Sequence, residues 1–132
     1  MNLVVNAVEA MNGVGDRPRE LTIVSGEGDA DDVFVEVKDT GPGIDAAHLD
    51  RLFQSFYTTK TDGIGMGLAI SRSIAEAHGG RLAAAKNKPQ GAVFRLTLPI
   101  TEATAKAGTD SGHSAEAAGT GQSAPKPPFA AV

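Results

Sequence analysis

A chain of 132 residues with 41% hydrophobic content holds one domain with a core and leaves room for an additional segment. Its formal charge of −4 excludes a general binder of nucleic acid or anionic membranes, and no apolar run reaches the length of a membrane span. The absence of cysteine excludes disulfides and thiolate metal sites, and a reducing, cytoplasmic setting is expected.

Residues 1–11 read as a helix that is apolar nearly all round, with Leu3, Val4, Val5, Ala7, Val8, Ala10 and Met11, and such a helix is predicted to be largely buried. Asn2, Asn6 and Glu9 interrupt it at i, i+4, i+7 and therefore share one face. That face either meets solvent or lines a polar cavity; two asparagines one turn apart in a buried helix favour the cavity. No capping residue precedes the helix, which reads as cut, and no basic region of a signal peptide is present.

Residues 12–18 form a turn region, and residues 20–25 alternate as a strand, Leu21 and Ile23 against Thr22 and Val24. An acidic turn over 26–32 leads to a second strand over 33–39. There Val33, Val35 and Val37 point one way, and Phe34, Glu36 and Lys38 the other. The same parity puts Asp39 on the valine face. A carboxylate at the end of a buried face needs donors; an adenine amino group is one candidate, a turn-forming aspartate the plainer alternative.

Two glycine-rich turns follow, Asp39-Thr40-Gly41-Pro42-Gly43-Ile44 and Gly63-Ile64-Gly65-Met66-Gly67-Leu68. They flank the aromatic patch Phe53-Gln54-Ser55-Phe56 and the polar run Thr58-Thr59-Lys60. Neither is a P-loop, which needs Lys-Ser or Lys-Thr after its last glycine, nor a dinucleotide fingerprint, which needs a preceding strand. They are either plain turns or the turns of a different nucleotide fold. Asp45 is predicted to cap a short helix through Leu52, with Phe53 and Phe56 as anchors. Residues 67–78 form a further helix with Ile70, Ile74 and Ala77 on one stripe and Gly79-Gly80 as its stop. The second glycine turn thus runs into a helix N-terminus, which favours an anion. Residues 81–86 and 92–99 make a hairpin, with Phe94, Leu96 and Leu98 on one face. The three histidines, His48, His78 and His113, lie too far apart in sequence to suggest a metal cluster.

The pattern predicts an α+β fold: a two-layer sandwich whose mostly antiparallel, mixed sheet carries helices on one face. The domain spans residues 1–100. Residues 101–132, rich in Ala, Gly, Ser, Thr and Pro, cannot bury enough surface to offset ordering and are expected to be disordered.

These motifs, in this order, resemble the catalytic ATP-binding domain of sensor histidine kinases, in the wider group that includes type II topoisomerases and large heat-shock chaperones. Asn2-Leu3-Val4-Val5-Asn6-Ala7 is similar to the family's asparagine motif, the two glycine turns to its glycine motifs, and Phe53–Phe56 to its aromatic motif. The resemblance covers residues 1–99 and implies a Bergerat-type ATP-binding fold, incomplete at the N-terminus. It implies ATP and Mg²⁺ as cofactors, with Asn6 on the metal and Asn2 and Glu9 nearby. Asp39 would bond the adenine amino group, and Gly41 and Gly43 would let backbone pass the base. Residues 44–64, from Ile44, would form a lid whose Thr58, Thr59 and Lys60 reach the phosphates, with Gly63, Gly65, Gly67 and Leu68 following.

ATP-hydrolysing relatives carry glutamate where this chain has Asn2, a poor base, so the implied reaction is γ-phosphoryl transfer to a histidine and onward to a response-regulator aspartate. The implied partners are a dimerisation domain bearing the acceptor histidine and a response-regulator receiver domain, with no nucleic acid. No histidine of this chain sits in an acceptor context, and Gly91-Ala92-Val93-Phe94 has no threonine where many relatives place one for the adenine pocket. The alternative is a nucleotide-binding or serine-kinase regulatory module like the anti-sigma relatives.

Overall fold

Four strands make the sheet: β1 (Leu21–Glu27), β2 (Asp32–Asp39), β3 (Arg81–Lys86) and β4 (Ala92–Pro99). They pair antiparallel throughout, in the order β1-β2-β4-β3, in a computed structural model that describes residues 1–29, 31–61 and 63–100. The disorder expected of residues 101–132 falls outside the described residues. Register explains the core. Val37 stands opposite Ile23 on one side and Phe94 on the other, Phe94 opposite Ala84, and Leu82 opposite Leu96. Partners directly across a ladder share a face, and Val37, Phe94 and Leu82 of that face are buried. Burying one such side chain contributes about 1.5–3 kcal/mol.

Helix α1 (Asn2–Asn12) and helix α3 (Gly67–Ala77) supply the other layer, through the buried Ala7 and Met11 of α1 and Ala75 of α3. The architecture is the expected α+β arrangement, with the short helix α2 (Ala46–Leu49) between the layers' two main helices in sequence. Asp45 caps α2 as predicted, its Oδ1 accepting from the Ala47 N–H at 3.1 Å. The helix ends at Leu49 rather than Leu52. Beyond it the chain takes successive turns, with Arg51 N–H to His48 O at 3.1 Å and Gln54 N–H to Arg51 O at 2.9 Å.

Two burial expectations are corrected, for α1 and for Phe56, and α3 shows which way its stripe faces. Helix α1 is covered on one side only, and Val5 and Val8 are exposed on the other. On α3 the stripe of Ile70, Ile74 and Ala77 faces outward, with Ile74 57% exposed, while the buried position is Ala75. A methyl lets the helix approach the strands closely where isoleucine would hold it away. Phe56, expected as an anchor, is 74% exposed and adopts φ 67. Phe53 is half-buried, with the Arg72 guanidinium 5.5 Å from its ring centroid. Strand β1 also runs two residues further than predicted, to Glu27, as an exposed edge whose Gly28 N–H donates to Asp32 O at 2.7 Å.

The opposite face of the sheet is polar. Glu36, buried, receives Lys38 Nζ at 2.8 Å and Arg95 Nη1 at 3.2 Å, and the Arg95 guanidinium lies 3.9 Å over the Phe34 ring.

Candidate functional site

The site is organised by one face of α1. At its C-terminal end Ala10 packs against Gly41, where an added Cβ would meet both Ala10 and Asp39 Oδ1. One turn back, Glu9 and Asn6 both accept from the Lys60 ammonium, Asn6 Oδ1 at 3.1 Å. A further turn back, Asn2 Nδ2 donates to Gly67 O at 3.4 Å and lies 3.5 Å from Ser71 Oγ. From Ala10 to Asn2 is about 12 Å of helix rise. The asparagine stripe is therefore not a plain solvent face. It joins the end of β2, the loop carrying Lys60 and the start of α3.

Asp39 is 2% exposed, the most deeply buried polar residue among those described. Its Oδ1 accepts from the Gly41 N–H at 2.9 Å and the Ala92 N–H at 3.2 Å. Both bonds fall on one oxygen, so among the described residues Oδ2 is left for another donor. The valine-face parity read from sequence places this carboxylate correctly, because alternation along β2 continues through its last residue. Two bonds to backbone amides also hold it in one orientation.

Between the glycine turns, Gly43 takes φ 85 and Ile44 is half-buried. Thr58 Oγ1 accepts from the Lys60 N–H at 3.0 Å, which shapes the turn presenting the lysine, and Thr59 is exposed. Gly63 N–H closes that turn on Lys60 O at 3.5 Å. Gly65, at φ 70, accepts from the Phe56 N–H at 2.9 Å, and an added Cβ would lie 2.6 Å from the Phe56 carbonyl carbon. Only glycine fits that position. Gly67 opens α3 with no side-chain cap, and its carbonyl also accepts from Ser71 Oγ at 2.8 Å. Leu68 is half-buried in the first turn. The uncapped first-turn N–H groups give that end a partial positive charge.

Every residue expected of the site thus falls on α1, the end of β2, the intervening loop or the start of α3. Some participants were not foreseen. Thr40 Oγ1 accepts from the Glu20 N–H at 2.9 Å and reaches Pro18 O at 3.1 Å, tying the chain before β1 to the first glycine turn. Tyr57 Oη lies 2.5 Å from His48 Nδ1, with the Arg51 guanidinium 4.8 Å from the tyrosine ring, so Tyr57 takes the packing role expected of Phe56. Asn87 Nδ2 donates to Asp39 O at 2.9 Å. A hydroxyl one residue after Asp39 was a visible signal for Thr40; nothing in the pattern around Asn87 marked it.

Residues 1–102 match the family described as Histidine kinase-, DNA gyrase B-, and HSP90-like ATPase, and the chain belongs to that family. Among its relatives, the sensor protein FixL of Bradyrhizobium diazoefficiens is 48% identical over 102 residues, covering 77% of this chain and 20% of FixL. The sensor histidine kinase TmoS of Ectopseudomonas mendocina is 43% identical over 102 residues, covering 76% of this chain and 10% of TmoS. The chain thus spans a fifth or less of the length of these two relatives. Among solved structures, the catalytic domain of histidine kinase ThkA superposes with a TM-score of 0.62 at 39% identity, over 74% of this chain and 61% of that one. A structure described as full-length ShkA in complex with AMPPNP gives 0.61 at 32% identity, over 74% of this chain and 20% of that one. These relatives are sensor kinases, which disfavours the reading as a serine-kinase regulatory module. No described helix is long and apolar enough to cross a membrane.

Proposed function

We propose that this chain is the ATP-binding catalytic part of a two-component sensor histidine kinase, acting in the cytoplasm. The observation that carries the reading is the order of groups along α1: a buried carboxylate with one free oxygen, then two oxygens around a cation, then an uncapped helix N-terminus. An extended nucleoside triphosphate presents complementary groups in that order, from base amino group to terminal phosphates.

Asp39 Oδ2 accepts from the adenine amino group, while Gly41 and Gly43 leave backbone close to the ring. Asn6 Oδ1 and Glu9 Oε2 already converge on one cation, the Lys60 ammonium. A carboxamide and a carboxylate oxygen suit Mg²⁺, so Asn6, with Glu9, would hold the ion. Held there, such an ion would neutralise charge on the phosphates. With the ion in that place, Lys60, Thr58 and Thr59 would be free to meet the phosphate oxygens, and the α3 N-terminus at Gly65, Gly67 and Leu68 offers N–H groups to them. Gly63 permits the turn that delivers Lys60.

In the transfer, a histidine ring nitrogen of a dimerisation domain forms a bond to the γ-phosphorus as the bond to the bridging oxygen breaks, and ADP leaves. The phosphoryl group then passes to an aspartate of a response-regulator receiver domain. Positioning and charge stabilisation supply most of the acceleration, so this chain needs no strong base of its own.

The test is calorimetry of the chain with ATP and Mg²⁺, followed by incubation with a histidine kinase dimerisation domain. Saturable binding and an acid-labile, base-stable phosphate on the partner are expected. Absence of binding by folded chain at millimolar ATP overturns the reading.

A further inference from the structure

The β3–β4 turn packs onto the end of β2, where a substitution of roles occurs in the ladder. The β2–β4 register, with Lys38 opposite Val93, brings Asp39 opposite Ala92. At that pair the Ala92 N–H donates to the Asp39 carboxylate Oδ1 at 3.2 Å. The Asp39 carbonyl instead accepts from Asn87 Nδ2 at 2.9 Å, a bond spanning 48 positions of sequence. A buried carbonyl left without a donor is costly, so the side-chain amide of Asn87 is what allows the carboxylate to occupy the ladder position.

The turn is shaped for this contact. Gly91 takes φ 116, and an added Cβ would stand 1.8 Å from Asp39 O. Its carbonyl accepts from the Asn87 N–H at 2.9 Å, and Asn87 Oδ1 accepts from the Lys88 N–H at 3.0 Å. The Asn87 side chain is thereby held with its amide nitrogen, not its oxygen, toward Asp39. A water-filled alternative is disfavoured where Asp39 is almost wholly enclosed.

We infer that Asn87 is a positioning residue for base recognition: by satisfying the Asp39 carbonyl it fixes the carboxylate with Oδ2 directed to the nucleobase. Asn87 does not touch the nucleotide. The inference rests on the proposed role of Asp39 and extends it to a residue outside the motifs.

The experiment measures ATP and inosine triphosphate affinities by calorimetry for the full chain, Asn87→Asp and Asn87→Ala, each with a thermal melt. Inosine triphosphate lacks the amino group that Oδ2 would accept. Asn87→Asp is nearly isosteric but lacks the donor. Both variants are expected to lower the ATP preference over inosine triphosphate by about tenfold, as one misdirected hydrogen bond would. Because unfolded chain binds neither nucleotide, the ratio of the two affinities is insensitive to a lowered Tm. A purely structural role predicts a lower Tm with the ratio unchanged; that result, in a wild type that discriminates, overturns this inference alone. A wild type that binds both nucleotides equally overturns the Asp39 assignment first, and this inference with it.

Discussion

Lys60 donates from its ammonium to Asn6 Oδ1 at 3.1 Å, joining the loop between the glycine turns to the middle of α1 across 54 positions of sequence. Glu9 shares the same ammonium. The two side chains of the ion pair are 42% and 49% exposed, so the pair itself contributes at most about 1 kcal/mol to stability. Lys60→Ala should therefore leave the denaturation midpoint nearly unchanged. If Lys60 meets the phosphates, the same change weakens ATP about tenfold at low salt and leaves adenosine binding intact. Paired titrations with ATP and adenosine at two salt concentrations check this, and an equal loss for both ligands would place Lys60 elsewhere.

Much of this arrangement was legible in the residues, and the exceptions share a cause. Period-two alternation placed Asp39 on the covered face, and Asp45 announced the start of α2, because both signals are local. Gly79, at φ 72, stops α3 for the same reason. The stripe of Ile70 and Ile74 states only that α3 has two unlike sides. Which side the sheet covers depends on how closely Ala75 lets α3 approach, and that depends on residues of other elements. Asn87 was invisible because its partner lies in another strand and asparagine in a turn is unremarkable. Phe56 carries a left-handed conformation that no propensity of phenylalanine predicts.

Asp39→Asn should weaken ATP by about 1–3 kcal/mol while sparing the fold. Its remaining carbonyl oxygen can still accept from the Gly41 and Ala92 N–H groups, but the amide nitrogen would then face the base amino group, donor against donor. Circular dichroism and calorimetry separate the two effects. Unchanged affinity in a folded variant would remove Asp39 from base recognition.

Glu36 is the hub of the polar face, with Arg95 and Lys38 on its two oxygens. It is buried, so Glu36→Ala leaves Arg95 without this carboxylate in a largely enclosed place. A loss of about 2–3 kcal/mol in urea unfolding is expected, with nucleotide affinity retained by the folded fraction. A change below about 0.5 kcal/mol would mean the pair is fully solvated in solution.

Strand β1 is an edge, and Ile23 on it is 57% exposed, with Val24 beside it. Such an edge invites pairing between chains. Ile23→Lys should raise the concentration at which aggregates appear by light scattering, with little change in stability. Adding Mg-ATP at about 100 times its Kd should stabilise both proteins by about 2.7 kcal/mol. A melt unaffected by ATP would argue that nucleotide does not bind the folded form.

The final expectation concerns hydrolysis and self-labelling. Asn2 stands at the α3 end of the site, its amide nitrogen donating to Gly67 O at 3.4 Å. A carboxamide has no basic lone pair with which to take a proton from water, and no described carboxylate is bonded in its place. Glu9, the nearest acid along α1, would hold the metal in the proposed complex and so is not placed to take a proton from water. His48 is paired with Tyr57, and His78 caps α3, so neither is offered as an acceptor. With Mg-ATP alone the chain should release phosphate slowly and carry no acid-labile label. Asn2→Glu places a carboxylate near the uncapped helix start and should raise phosphate release by about tenfold or more, the lower part of the range for a positioned general base. Malachite-green assays of the two proteins at matched nucleotide occupancy make the comparison. Fast release by the unaltered chain would show that another group activates water, and Asn2 would then not be what suppresses hydrolysis.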